Sequence, residues 1–181
     1  MQAEQRHQRV TADLPDKEHW KLTIETVNGS AWSFIKGRLE ETEATVVLAQ
    51  EVRLTAAFAE PASGWAARRG WTSAWAPSCC TATGRATGGV AIFVRSWLGF
   101  RPLAAPAVSP EYGHRVVFGL LQAPGYGDIV LGSLYLIDSI GLAPANVEIL
   151  GQVGAFLGSR PEQFVIGADW QMAPTDLDAA G

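Results

Sequence analysis

QFVIGADWQM, residues 163–172, is an apolar run that ends in a carboxylate. Phe164, Val165 and Ile166 have the β-branched and aromatic character of a buried strand. Gly167 and Ala168 narrow the chain, and Asp169 follows where the hydrophobic run stops, with Gln171 two positions on. A core does not need an acid there. The same arrangement recurs upstream: WKLTIETVNG, residues 20–29, reads as a strand ending at Asn28, and ATVVLAQE, residues 44–51, as an apolar strand ending at Glu51.

Between and after these runs the chain alternates strand and helix patterns. Ser30 is placed to cap a helix over 31–41, with Ala31, Ile35 and Leu39 on one face and Lys36 and Glu40 away from it. Residues 54–69 read as a helical region interrupted at Pro61, with Gly70 suited to the left-handed position after it. WTSAWAP (71–77) alternates like a strand, TATGRATGG (81–89) reads as a loop, and GVAIFVR (89–95) as an apolar strand. HRVVFGLLQA (114–123) and DIVLGSLYLI (128–137) are two more strands, and PGYG between them has hairpin length. A helix over 144–158 carries Val147, Leu150, Val153 and Leu157 on one side, and Pro161 marks its end. This order predicts a layered α/β domain over 19–181, preceded by a polar leader at 1–18.

Composition narrows the function classes. With 181 residues, 48% apolar and 18% charged, the chain can bury a real core, and seven tryptophans add to it. No run approaches the length of a membrane span, so no membrane partner is expected. A net charge of −4 gives no global pull toward nucleic acid, so such a partner needs a local basic surface. Arg53, Arg68, Arg69, Arg85, Arg95 and Arg101 could supply one, and Arg85, in the glycine-rich loop, is the one to single out for a phosphate backbone. Cys79 and Cys80 are adjacent, which makes a bridge between them geometrically awkward. No Cys or His lies at metal-ligand spacing from them, so they read as free thiols in a reducing, intracellular compartment.

Ligand sites in layered sheets collect beyond strand ends, where the backbone stops and the scaffold stays rigid. Singly, a Glu or Asp after a strand is an ordinary loop or capping residue, and Asn28-Gly29 is an ordinary turn pair. Three such positions in order, at comparable ends of apolar strands, read differently. Two carboxylates joined by amide oxygens form a hard, oxygen-rich pocket suited to Mg2+ or Mn2+.

The succession TVNGSAW, VVLAQEVR, TGGVAIFVR, GSLYLIDS and VIGADWQM resembles the endonuclease/exonuclease/phosphatase superfamily, over roughly residues 19–178. The superfamily includes apurinic/apyrimidinic endonucleases, pancreatic-type deoxyribonucleases and the endonuclease domains of non-LTR retrotransposons, and the last look closest. The resemblance implies a four-layer α/β-β/α sandwich of two mixed β-sheets flanked by helices. It implies metal-dependent phosphodiester hydrolysis on nucleic acid, DNA first, with Mg2+ or Mn2+ as cofactor. Carried over by motif, Glu51 would hold the metal and Asn28 would support metal or phosphate. Tyr135 would hydrogen-bond a phosphate oxygen with Asp138 beside it, Asp169 would orient or activate the attacking water, and Gln171 would contact the phosphate.

Three departures qualify the resemblance. Thr26 stands where the family usually has Asn, and Gln171 stands where it usually has Asn. The family also ends in further strands and a Ser-Asp-His motif, to which none of His7, His19 and His114 corresponds. The chain is therefore expected to cover the N-terminal two-thirds of such a domain, its last strands missing. A catalytically inactive remnant and a phosphomonoesterase of the same fold are the alternatives.

Overall fold

The computed structural model describes residues 21–80, 84–104, 106 and 108–171, so the segment read as a leader lies outside it. The first strand is β1, Ile24–Asn28, and it pairs in parallel with β2, Val46–Gln50. Next come β3, Trp71–Ala76, the short pair β4, Cys79–Cys80, and β5, Ala86–Thr87, and then β6, Val90–Arg95. One four-stranded sheet has the order β1-β2-β6-β3. The second is built from β7, Gly99–Pro102, β8, Val116–Ala123, β9, Gly127–Tyr135, and β10, Gln163–Asp169, in the order β10-β9-β8-β7. Each sheet is mixed: β1 with β2, and β9 with β10, are parallel, and the remaining pairs are antiparallel.

The two-residue period of the strands explains the layering. Val46 and Leu48 of β2, with Val90, Ile92 and Val94 of β6, face Val117, Leu121, Ile129 and Leu131 of the other sheet. Their neighbours Val47, Ala49, Ala91 and Phe93 face the opposite way, onto α1, Trp32–Glu41, through Ile35 and Leu39. On the far side, Val116, Phe118, Leu120, Val130 and Leu134 cover α3, Pro144–Gly158, through Ile149 and Val153. Strands covered on both faces read as continuous apolar runs, as these do. Fully burying each such side chain contributes about 1.5–3 kcal/mol. The result is a four-layer α/β-β/α sandwich. Among the described residues no helix is long and apolar enough to cross a membrane.

Several local expectations are corrected. Ser30 does not cap α1: the cap position is Ala31, with no side-chain bond, and Ser30 is left-handed at φ 51°. Pro61 does not interrupt its helix, which runs unbroken as α2, Ala56–Ala67. The N–H that Pro61 lacks would have served residue 57 in the exposed first turn, where water reaches the carbonyl. The expected loop 81–89 carries β5, which pairs with β4 as a ribbon. On α3 the buried face is Asn146, Ile149 and Val153, while Val147 is exposed. Buried polar Asn146 was invisible to an apolar count. Its Oδ1 accepts from the Ile137 N–H at 2.8 Å, and its Nδ2 donates to the Ile137 and Gly141 carbonyls, pinning the loop after β9.

Candidate active site

Parallel pairing is what gathers the polar strand ends. In the β1–β2 register Asn28 lies opposite Gln50, so Glu51 follows beside it, and in the β9–β10 register Asp169 lies opposite Tyr135. β10 also packs against β1 and β2. Gly167 permits that approach: a Cβ there would lie 2.7 Å from Leu48 Cβ and 2.8 Å from Thr26 Oγ1. Four strands from two sheets therefore end at one place.

Asn28 is the centre of the cluster. Its Oδ1 accepts the Ser30 N–H at 3.2 Å, which turns Nδ2 outward. Nδ2 donates to Oε1 of Glu51 at 3.3 Å and to Oδ2 of Asp169. Gln171 donates to the same Asp169 oxygen through Nε2 at 2.6 Å, and to Oδ1 through its backbone N–H at 3.3 Å. The second oxygen of Glu51 accepts from Arg53 Nη2 at 2.5 Å. Glu51 is 9% exposed, unusual burial for an acid at a strand end.

Tyr135 completes the group. Burial comes first in pushing its phenol up to about 12, followed by the negative charge of Glu51 and a hydrogen bond to it. The phenol is therefore a neutral hydrogen-bond donor throughout the physiological range. Arg115, which the sequence reading passed over, lies with its guanidinium carbon 5.0 Å from the Tyr135 ring centroid and donates to the carbonyls of Tyr135 and Leu136 at 3.4 and 3.3 Å. Burial depresses its pKa.

The backbone around the site is strained. Ser30, Glu51, Arg53, Ser139 and Gln171 are non-glycine residues with φ between 50 and 62°, and each lies within four residues of a strand end or strand-end loop that bears a candidate residue. Left-handed backbone costs such residues about 1–3 kcal/mol, and it concentrates where geometry is imposed for function.

Five of the seven candidates, Asn28, Glu51, Tyr135, Asp169 and Gln171, come together. Asp138 does not join them: it is exposed on the loop beyond β9 and makes no hydrogen bond or ion pair with the cluster among the described residues. Arg85 is exposed and immediately precedes β5, on the side where β4 and β5 are joined. That ribbon leaves the sheet at Gly88 and Gly89, whose carbonyls accept from the Arg53 and Val52 N–H groups, so it is the base of the ribbon, not Arg85, that adjoins Glu51. Thr26 donates inward to Gln50 Oε1 at 3.3 Å.

Cys79 and Cys80 are free, as expected, and exposed, and the fold also brings His114 Nε2 to 3.5 Å from Cys79 Sγ. Among the described residues, however, no three His, Cys, Asp or Glu side chains gather at metal-binding distance. The hard ligands at the strand ends are the carboxylate oxygens of Glu51 and Asp169, onto which Asn28 and Gln171 donate through their amide nitrogens. Such a set fits Mg2+ or Mn2+ better than a soft ion. A cleft of about 740 Å³ lies at the opposite end of the sheet, around Thr23 and Thr45. Its Glu25 accepts from Arg38 and from Thr42, and none of the polar strand ends reaches it.

No family model matches the chain, and no curated protein matches it. Solved structures do. The chain is similar to the 3′ phosphatase NExo from Neisseria bound to product DNA hairpin (TM-score 0.62, 18% identity, 87% of this chain and 61% of that one). It is similar to TDP2 from D. rerio complexed with single-strand DNA product (0.63, 14%, 88% and 64%). It is also similar to the endonuclease domain of TRAS1, a telomere-specific non-LTR retrotransposon (0.54, 15%, 86% and 61%). The chain has the endonuclease/exonuclease/phosphatase fold, and it spans about three-fifths of the length of these structures.

Proposed function

We propose that the strand-end cluster is the centre of a metal-dependent phosphodiesterase acting on DNA, of the endonuclease type that the sequence motifs resemble. The observation that carries this reading is the Asn28 amide held between the carboxylates of Glu51 and Asp169. Glu51 would hold Mg2+ or Mn2+, with Asn28 supporting the site by donating to both acids; the ion supplies charge to offset the phosphate's growing negative charge.

The chain's own residues account for the rest. A carboxylate has about four acceptor positions. Asp169 uses three of them on Asn28 and Gln171. The remaining one, on Oδ1, is available to orient a water and take its proton. Tyr135 donates its phenolic hydrogen to a phosphate oxygen once a substrate displaces its contact with Glu51. Arg115 steadies the carbonyls that hold Tyr135 in place. Arg53 lies at the Glu51 side and, with Arg85 on the projecting ribbon, would suit a polyanionic backbone.

The test is magnesium-dependent nicking of supercoiled plasmid, with EDTA as the metal-removal control. Glu51→Gln and Asp169→Asn should each lower the rate about 10²- to 10⁴-fold with little change in Tm. Nicking that both variants leave untouched would reject this centre. A folded wild-type protein that neither nicks nor removes a 3′-terminal phosphate would fit an inactive remnant. The 3′ phosphatase among the similar structures motivates a second reading, hydrolysis of a terminal phosphate. A 3′-phosphorylated oligonucleotide in the same assay distinguishes it.

A further inference from the structure

Gln50 ends β2, one position before Glu51, and is only 2% exposed in the space between the two sheets. An apolar side chain would fill that space without the cost of burying an amide. The amide is fully engaged. Nε2 donates to the Ser133 hydroxyl at 3.0 Å and to the Gly167 and Leu48 carbonyls at 3.2 Å each, and Oε1 accepts from Thr26 Oγ1 at 3.3 Å. Ser133 Oγ donates in turn to the Ala49 carbonyl at 2.8 Å. The amide has one allowed orientation, because turning it over would set Oε1 against two carbonyl oxygens.

These partners lie on four strands in a regular relation to the site. Thr26 is two residues before Asn28, Ser133 two before Tyr135, and Gly167 two before Asp169, while Gln50 directly precedes Glu51. Apolar packing between sheets is non-directional, so Leu48 against Leu131 tolerates a small slip. Hydrogen bonds are directional and do not.

We propose that Gln50 is a positioning residue: one buried amide sets the mutual register of β1, β2, β9 and β10, and through it the spacing of Asn28, Glu51, Tyr135 and Asp169. Gln50 acts through the backbone and touches no reacting atom. Its effect on turnover rests on the phosphodiesterase reading above, whereas the register it holds does not.

The test is hydrogen exchange on Gln50→Met, which keeps the length and removes the bonds, against Val153→Ala, a cavity variant in the α3 layer. Three amides report on the strand ends: Gly29 bonded to the Gln50 carbonyl, Val52 to Gly89, and Leu136 to Asp169. After correction for global stability, Gln50→Met should accelerate these amides at least about tenfold, and Val153→Ala should not. Equal acceleration in both variants, or none in Gln50→Met, overturns the proposal. Should Gln50→Met fail to fold, Ser133→Ala removes one arm, and it must then accelerate Val52 and Leu136 selectively or the proposal falls. In the nicking assay Gln50→Met should lose about 10²-fold in kcat with KM for DNA nearly unchanged, because misplacement of about 1 Å is enough for that loss. If the wild-type protein does not nick, exchange still decides the register role, and only the phosphodiesterase reading fails.

Discussion

Asn28 and Asp169, 141 positions apart in the chain, share a hydrogen bond at the open end of the sandwich. The same Asn28 nitrogen also reaches Glu51, so one neutral amide separates two acids. Asn28→Ala removes a shared donor from a preorganised charged cluster. Loss of one such donor costs about 10²- to 10³-fold in kcat, and Asn28→Asp should cost more because it adds a third carboxylate. Single-turnover nicking checks both, and an Asn28→Ala rate within about twofold of wild type would contradict the role.

Ser30 holds the Asn28 orientation with its backbone N–H while sitting at φ 51°. Left-handed backbone costs a non-glycine residue about 1–3 kcal/mol, and glycine's extra entropy loss is about 0.5–1 kcal/mol. The strain term is larger. Ser30→Gly should therefore raise Tm by about 2 °C and leave the N–H bond to Asn28 in place. A thermal melt that shows destabilisation would mean that the Ser30 side chain contributes more than its backbone costs.

Tyr135 is raised from 10 to about 12, chiefly by burial and then by Glu51. A folded pKa above the unfolded one favours the protonated form in the fold. That contribution is complete below pH 10 and is lost as pH rises from 10 to about 12. Wild-type stability should fall across that window. In Tyr135→Phe the part of the slope due to this group should vanish, as followed by denaturant melts at stepped pH. An unchanged slope would show that the phenol titrates alike in both states.

Much of the sandwich and part of the site were legible in the chain. Runs such as VVLAQ and VAIFV are apolar because both faces of their strands are covered, and the acids at their ends stood out against that background. What escaped notice depends on contacts between sheets. Gln50 and Ser133 look like unremarkable polar residues within apolar strands until the sheets are stacked, and they then lie 3.0 Å apart. Arg115 reads as a strand-start residue, and its bearing on Tyr135 comes from the β8–β9 pairing. His114 and Cys79, 35 positions apart, meet only because the base of the ribbon packs on the turn that precedes β8, with the Gly89 N–H donating to the His114 carbonyl. Pro61 misled for a local reason, since its missing donor falls in an exposed turn.

Gly167 has ordinary strand geometry, yet the position has no room for a side chain. An added Cβ would press on Leu48 and on Thr26, close to the amide of Gln50. Overpacking of this kind costs about 1–3 kcal/mol. Gly167→Ala should lower Tm by about 3–10 °C and displace Asp169, two residues on. Calorimetry reads the first effect and nicking the second. A variant as stable as wild type would show that β10 can move away from β2 at little cost.

His114 is half-buried, and burial, followed by the Arg115 charge, holds its pKa below 6.5, while the Glu111 carbonyl works in the opposite direction. Among the described residues the ring meets Cys79, Arg115 and the Glu111 carbonyl. A basic group with a lowered folded pKa binds fewer protons when folded than when unfolded, between its folded pKa and 6.5. Stability must then fall as pH drops below 6.5, and it is unaffected by this residue above that value. His114→Gln removes the term, so the variant should lose less stability than wild type between pH 7 and pH 5 in urea melts at constant ionic strength. Parallel losses in the two proteins would show that the imidazole is as easily protonated in the fold as outside it.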